Sequence, residues 1–75
     1  MNYICVVMDK REDMFEQLCD DLNRVYDKLK RTSKGNEVWF TGNVSEENRN
    51  RIISMCAMSP YSEGYKVYCD GKYVW

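Results

Sequence analysis

The chain has 75 residues, of which 44% are hydrophobic and 31% charged, and its formal net charge at pH 7 is −1. These values are typical of one small globular domain, which we expect to span residues 1–75. The near-neutral balance lacks the basic excess usual in proteins that bind duplex DNA or RNA, although it does not exclude a local basic patch. No apolar run has the length of a membrane span, and the N-terminus lacks the basic start of a secretory signal, so we predict a cytoplasmic protein.

The chain contains Cys5, Cys19, Cys56 and Cys69, and it has no histidine. No two of these cysteines are close in sequence, so the ligand spacings of zinc sites are absent. Scattered cysteines without an export signal are typical of reduced thiols that pack as small apolar side chains. We therefore expect four free thiols, and we predict neither a metal nor an organic cofactor.

The first half of the sequence predicts a strand–helix–strand unit. Tyr3–Met8 is a continuous apolar run rich in Ile and Val, as in a buried strand. Asp9–Arg31 has the pattern of one long amphipathic helix, with Asp9 as its N-cap, acidic residues near its start and basic residues near its end. Gly35 suits the position after a helix, and Glu37–Thr41 predicts a second strand. We expect the two strands to be parallel and joined by a right-handed crossover.

The second half predicts a helix and a hairpin. Ser45–Met58 is expected to be helical, because Ser45 is a good N-cap and two glutamates follow it in the first turn. Asp70-Gly71 is the preferred two-residue turn of a β-hairpin, and it lies between the alternating runs Tyr65–Cys69 and Lys72–Trp75. This turn sets the register, so we expect the pairs Cys69–Lys72, Tyr68–Tyr73, Val67–Val74 and Lys66–Trp75.

Together these elements predict an α/β fold of the α+β type. The expected architecture is a two-layer sandwich in the order βαβαββ, with two helices on one face of a four-stranded mixed sheet. This layout is similar to that of ferredoxin-like domains, but the predicted order of elements differs, and no function is inferred from the similarity.

The sheet face that the two helices leave uncovered is the first candidate site. Alternation along the hairpin places Lys66, Tyr68, Tyr73 and Trp75 on this face, and Trp39 joins them if its two neighbours in the strand point toward the helices. Large exposed aromatic patches usually mark interaction sites, and Tyr and Trp dominate the energies of protein interfaces. The rings could instead pack on one another across the strands, or stack on nucleic-acid bases.

The predicted protein-binding surface also has an acidic part. Glu12, Glu16 and Asp20 lie on the polar side of the long predicted helix, where they could meet a basic site on a partner. The alternative is a charged helix face that is simply solvated.

The expected carboxyl ends of the first two strands form a further candidate site, because ligands of open α/β sheets tend to bind there. Two helix N-termini at this edge would offer free amides to an anion such as a nucleotide. The residues concerned are Asp9, Lys10, Arg11, Thr41, Gly42, Asn43 and Ser45. Turn chemistry and helix capping explain the same residues without a ligand.

Catalysis has little support, because the chain lacks histidine, the commonest general base, and we expect that the protein is not an enzyme. The sequence favours a small non-catalytic regulator or inhibitor that binds another protein, or a second copy of itself as a homodimer. Short chains of this kind are common in phages and mobile elements. A small anionic-ligand or nucleotide-binding protein is the first alternative. A single-stranded nucleic-acid binder is the second, and it is less favoured because the net charge is not basic.

Overall fold

The computed structural model describes all 75 residues. The elements follow in the order β1 (Asn2–Asp9), α1 (Phe15–Val25), β2 (Lys30–Lys34), β3 (Glu37–Val44), α2 (Glu46–Met58), a 3-10 turn (Ser62–Gly64), β4 (Lys66–Cys69) and β5 (Lys72–Tyr73). The fold is therefore of the α+β type, as predicted. Neither helix is long and apolar enough to cross a membrane.

The strands form one antiparallel sheet in the order β2-β3-β1-β4-β5. The predicted four-stranded mixed sheet was wrong in two respects, because β2 is an additional strand and β1 runs antiparallel to β3. The central strand β1 is paired along its whole length with β3, from Asn2 opposite Val44 to Asp9 opposite Glu37.

The first helix is much shorter than the predicted Asp9–Arg31, because the chain on both sides of it takes other conformations. Asp9 ends β1 instead of capping a helix, and its carboxylate accepts hydrogen bonds from Arg11 N at 2.9 Å and Arg11 Nη2 at 2.7 Å. At the other end Tyr26 is extended, and its N–H donates the last bond of the helix to Leu22 O at 2.9 Å.

The strand β2 occupies residues that the sequence pattern assigned to the end of that helix. These residues, Lys-Arg-Thr-Ser-Lys, show no alternation of apolar and polar side chains. Gly35 and Asn36 connect β2 to β3 in a two-residue turn, with Lys34 opposite Glu37. Gly35 has a φ of +60° and Asn36 has no positive φ, which fits a type II′ hairpin turn with Gly at its first central position. Gly35 therefore closes a hairpin and does not end a helix.

The additional strand changes the topology. Because β3 lies between β1 and β2 and is antiparallel to both, β1 and β2 are parallel to each other and joined by α1. In the same way, β3 and β4 flank β1 and are joined by α2. Two such interlocked units give the βαββαβ arrangement of ferredoxin-like domains, here extended by β5 at one edge. A fold of this kind hosts many functions and does not by itself indicate one.

Both helices pack on the same face of the sheet, as predicted. Alternate residues of β1, such as Val6, point toward the helices and share one apolar cluster with Leu22 of α1 and Ile52 of α2. No polar or charged residue is buried. Tyr65, just before β4, places its ring in this cluster, and its hydroxyl donates to Leu18 O at 2.8 Å. The core under the helices is thus apolar, and the hydroxyl group of Tyr65 within it is hydrogen-bonded.

The second helix starts as the sequence predicts. Ser45 is extended, and its Oγ accepts a hydrogen bond from Asn48 N at 3.2 Å, which satisfies one of the free amides of the first turn. The helix ends at Met58, before Ser59-Pro60.

The C-terminal hairpin has the predicted turn, because Asp70 and Gly71 both have positive φ, 51° and 83°, as a type I′ turn requires. Beyond the turn, Cys69 pairs with Lys72 and Tyr68 pairs with Tyr73, also as predicted.

The register of the hairpin breaks after Tyr73. Val67 N donates to Trp75 O at 3.0 Å, and Val67 O accepts from both Val74 N at 2.8 Å and Trp75 N at 3.2 Å. Two residues therefore oppose one, as in a β-bulge. The predicted pairing of Lys66 with Trp75 was wrong, and Trp75 instead lies opposite a residue that points toward the helices.

Candidate functional site

The sheet face opposite the helices carries side chains in two main rows, set by the strand registers. One row consists, from β2 to β5, of Lys30, Thr41, Cys5, Tyr68 and Tyr73. The neighbouring row consists, from β2 to β4, of Thr32, Trp39, Val7 and Lys66. We call this surface the open face, because both helices pack on the other side.

A groove of about 550 Å³ runs over the open face. Its lining residues are Tyr3, Cys5, Lys30, Thr32, Lys34, Trp39, Thr41, Tyr68 and Gly71. The lining thus combines three aromatic rings, two ammonium groups and two threonine hydroxyls, and it contains no carboxylate. The volume lies within the range of small-molecule sites.

Trp39 forms one side of the groove, and two neighbours hold its ring. Its Nε1 donates to Glu37 Oε1 at 3.2 Å, and the Nζ of Lys34 lies 4.0 Å from the ring centroid. The first contact fixes the edge of the indole, and the second is a cation–π contact on its face. Trp39 is therefore oriented in advance, with an ammonium where a flat ligand would stack.

Tyrosines form the other side of the groove. Tyr68 meets Tyr73 edge to face, with ring centroids 5.5 Å apart and an interplanar angle of 64°. Tyr3 is 47% exposed, and its backbone is tied to the hairpin turn. Tyr3 N donates to Asp70 Oδ1 at 3.0 Å, and Asp70 N donates to Tyr3 O at 2.8 Å. These two bonds hold Tyr3 beside Gly71 at the end of the groove.

The middle of the open face is made of small, nearly buried side chains. Cys5 and Val7 are 8% and 5% exposed, yet neither belongs to the apolar cluster under the helices. Burial raises the pKa of the Cys5 thiol and outweighs the opposite effect of the Lys34 charge. The thiol is therefore neutral at pH 7, and a nearby charge has not made it reactive.

The groove itself is basic, although each side of the molecule carries charges of both signs, with Glu37 and Asp9 opposite one another on the open face and Arg51 exposed on α2. Lys30 and Lys34 line the groove, while the exposed acidic residues Glu12, Glu16 and Asp20 lie on or just before α1, in the helix layer. The whole-chain charge of −1 averages over both sides, so it did not reveal that the open face has a basic groove.

Two carboxylates lie beside the groove, one at each end. Glu37 is opposite Lys34 in the hairpin and accepts the Trp39 indole N–H. Asp70, next to Gly71, accepts the Tyr3 amide N–H. Both carboxylates are therefore engaged by protein donors.

Four of the predicted protein-binding residues, Trp39, Lys66, Tyr68 and Tyr73, lie on the open face. Trp75 does not, because the bulge turns it away and its indole Nε1 donates to Ser62 O at 3.2 Å. The structure therefore brings Trp75 beside Tyr73 and Lys66 at the edge of the sheet, but not into the groove with Trp39 and Tyr68.

The predicted acidic part of that surface lies elsewhere. Glu16 and Asp20 are exposed on α1, and Glu12 precedes this helix, so all three belong to the layer on the far side of the sheet. A single partner would have to wrap around the molecule to contact both this surface and the open face.

The predicted anion site at the strand ends is not assembled. Its premise was parallel pairing of the first two strands, and the antiparallel register instead places Asn43 opposite Tyr3, six residues before Asp9. That is roughly 20 Å along the strand. Lys10 and Arg11 follow Asp9 at one end of the sheet, while Ser45 caps α2 at the other.

Individual residues of that predicted site have other roles. Hydrogen bonds from Arg11 lower the pKa of Asp9 to about 2, so this carboxylate is already engaged. A Cβ on Gly42 would lie 3.1 Å from Leu29 Cδ2, so the glycine makes room for a core side chain and not for a ligand. Thr41 alone belongs to the groove.

The sequence reasoning missed Tyr3, Lys30, Thr32 and Lys34 as site residues. The three on β2 were assigned to a helix or the turn after it, which hid their alternation onto one face. The Gly-Asn pair between β2 and β3 is a known hairpin signal and would have revealed the strand.

No three histidine, cysteine or acidic side chains come together as a metal site. The four cysteines are buried free thiols in the structure. Comparison of the chain with protein-family models, with curated proteins and with solved structures found no significant match.

Proposed function

We propose that the protein binds single-stranded nucleic acid in the groove of the open face. The observation that carries this proposal is the composition of the groove, which joins three aromatic rings to two lysines without a carboxylate. Aromatic platforms stack on the bases, and ammonium groups neutralise the phosphates. Both parts are needed, because stacking without cations would leave the phosphates unpaired.

The flatness of a sheet favours a single strand over a duplex. In a duplex the bases are stacked on one another, and their faces are not accessible to Trp39 or Tyr68. A single strand can turn its bases onto a sheet surface, which is the mode used by sheet-based RNA-binding modules. Neither helix offers a predominantly basic surface to a duplex, because the outer side of α1 is acidic and α2 balances its two arginines with two glutamates.

A free nucleotide has the same chemistry as one unit of such a strand. The groove volume of about 550 Å³ would hold it. The binding test therefore compares a single-stranded oligonucleotide with a mononucleotide, and tighter binding of the longer molecule supports the strand.

The test is fluorescence anisotropy at low salt with labelled oligothymidylate and oligouridylate of about twelve nucleotides. Trp39→Ala and Tyr68→Ala should each weaken binding by about 1–3 kcal/mol, the usual contribution of one stacked base. Tyr61→Ala is the matched control, because Tyr61 is 41% exposed but lies outside the groove.

Two outcomes would contradict the proposal. The first is no saturable binding of either oligonucleotide by the folded wild-type chain. The second is an equal loss in the Tyr61→Ala control, because the groove would then not be the site.

A protein regulator that acts through the same face is the second candidate, and the observation that favours it is Tyr73. This side chain is 63% exposed and lies outside the groove, where a single strand would not need it. Exposed tyrosines are typical anchors of protein interfaces. If no oligonucleotide binds, binding of a protein partner becomes the favoured function of the open face.

A further inference from the structure

The charged and the aromatic residues of the groove come from different strands. Both ammonium groups come from β2, the edge strand, while the rings come from β1, β3 and β4 in the interior of the sheet. Lys30 and Lys34 lie on the same face of β2, four residues apart, so their Cα atoms are separated by roughly 13 Å. One margin of the groove is thus cationic, and the rest is aromatic and neutral.

From this asymmetry we infer an orientation for the ligand, which rests on the proposed function. The sugar–phosphate backbone of a bound single strand lies along β2, and its bases point across the sheet toward Trp39 and Tyr68. Phosphates keep their contact with water at the open edge and meet the two lysines there. The bases reach the neutral floor around Cys5, where stacking is not opposed by a charge.

The spacing of the two lysines sets the length of strand that the groove contacts. A span of roughly 13 Å corresponds to about two to four nucleotides, depending on how far the strand is stretched from its stacked spacing. Affinity should therefore increase with oligonucleotide length up to about four nucleotides. Beyond that length it should rise only in proportion to the number of overlapping positions on the oligonucleotide at which the groove can bind.

Lys34 has to move for this ligand to bind. Its Nζ now lies 4.0 Å from the Trp39 ring centroid, where a base would stack. In the bound state the ammonium leaves the ring for a phosphate, and a base takes its place. The emission of Trp39 should respond to this exchange, and in a Trp75→Phe variant Trp39 is the only tryptophan that reports it.

Lys66 provides a matched control for the position of the backbone. It lies on the same face, but on β4 at the far side of β1, and it does not line the groove. It is close enough to Asp9 for its charge to help lower the pKa of that carboxyl group. Removing it should leave phosphate contacts along β2 intact.

The experiment measures oligonucleotide affinity as a function of salt concentration for wild type, Lys30→Ala, Lys34→Ala and Lys66→Ala, with folding checked by circular dichroism. The magnitude of the log–log slope should fall by about 0.7 for each β2 variant and stay unchanged for Lys66→Ala. In the Trp75→Phe background, saturating oligonucleotide should change Trp39 emission, and Lys34→Ala should alter the signal of the free protein.

A slope lowered by Lys66→Ala and unchanged by both β2 variants would overturn the orientation while leaving nucleic-acid binding intact. Continued strong gains in affinity well beyond four nucleotides would also overturn it, because the contacted strand would then be longer than β2 allows. Absence of any oligonucleotide binding would remove the proposed function and this inference together.

Discussion

The two faces of the sheet come from alternate residues of the same strands, and they differ in almost every physical property. Toward the helices, β1 presents Ile4, Val6 and Met8, all of which join the apolar cluster and are at most 1% exposed. On the open face the same strand presents Tyr3 and Cys5, which line the groove, and Val7, which lies between Trp39 and Lys66 in the neighbouring row. The comparison separates the residues that make the fold from those that are free to bind.

The division also explains why a small domain can keep an uncovered face. A chain of 75 residues has only two helices, and both are used to close one side of the sheet. The other side needs residues that tolerate water, and aromatic rings with polar edges, threonines and lysines meet that need. Such a surface is stable without a partner and still suited to one.

Val6 and Val7 test this division most directly, because they are neighbours in the central strand and have the same β-propensity. Val6→Ala should lower the free energy of unfolding by about 2–3 kcal/mol, from lost burial and a cavity that the helix layer cannot fill. Val7→Ala should lower it by about 1 kcal/mol, because water and neighbouring side chains can occupy the space on the open face. Urea unfolding measures both, and an equal or larger loss at Val7 would mean that a second layer covers the open face.

The elements that the sequence predicted correctly share a strong local signal. The hairpin turn at Asp70-Gly71 requires positive φ at both positions, and few other residue pairs provide it. The N-cap at Ser45 and the apolar run of β1 are equally local. The α+β class and the placement of both helices on one face followed from these signals.

The errors arose where local signals agreed with a wrong structure. Acidic residues followed by basic residues matched the dipole of one long helix, and Leu29 continued the apolar spacing. In the structure Leu29 belongs to a connection and covers Gly42, while the basic residues form an edge strand. Edge strands often carry lysines that discourage pairing with other chains, so β2 lacks the apolar alternation by which strands are detected.

The candidate site could be predicted only in part, for the same reason. The alternation of the hairpin and β3 placed Trp39, Tyr68 and Tyr73 on one surface without knowledge of the fold. Lys30 and Lys34 come to that surface through β2, a wholly polar strand whose one sequence signal is the Gly35-Asn36 turn that pairs it with β3. Neither the net charge of the chain nor the periodicity of its apolar residues could therefore predict the basic half of the groove.

Alkaline pH should test the core under the helices through its buried ionisable groups. Burial raises the pKa of Tyr65, and it raises the pKa of Cys56 from 9.0 to about 12. The unfolded chain loses these protons at lower pH than the folded chain, so stability is complete below pH 9 and falls as the pH rises. For Tyr65 the fall begins near pH 10.

Tyr65→Phe should therefore lower the free energy of unfolding by about 1 kcal/mol at neutral pH, because the hydrogen bond to Leu18 O is lost. The same change should make the free energy of unfolding fall less steeply as the pH rises above about 10. One ionising group accounts for up to about 1.4 kcal/mol per pH unit. Urea unfolding between pH 7 and about 11 gives the slope, and Tyr73→Phe is the control, because Tyr73 is exposed on the open face. An unchanged slope in Tyr65→Phe would mean that Tyr65 ionises alike in the folded and unfolded chains.

The smallest expected effect is a gain of affinity on the open face. Glu37→Gln removes a negative charge beside Lys34, while the amide oxygen can still accept the Trp39 indole N–H. A half-buried charge at the surface contributes up to about 1 kcal/mol, so oligonucleotide affinity should rise about two- to fivefold at low salt and less at high salt. Glu16→Gln makes the same change of net charge on the helix layer and should have almost no effect, because that side chain is separated from the groove by the sheet. Anisotropy titrations of both variants show whether affinity depends on the position of the charge or on the net charge of the chain. An equal gain in both variants would mean that only the net charge matters and that the groove attracts the oligonucleotide no more than the rest of the surface.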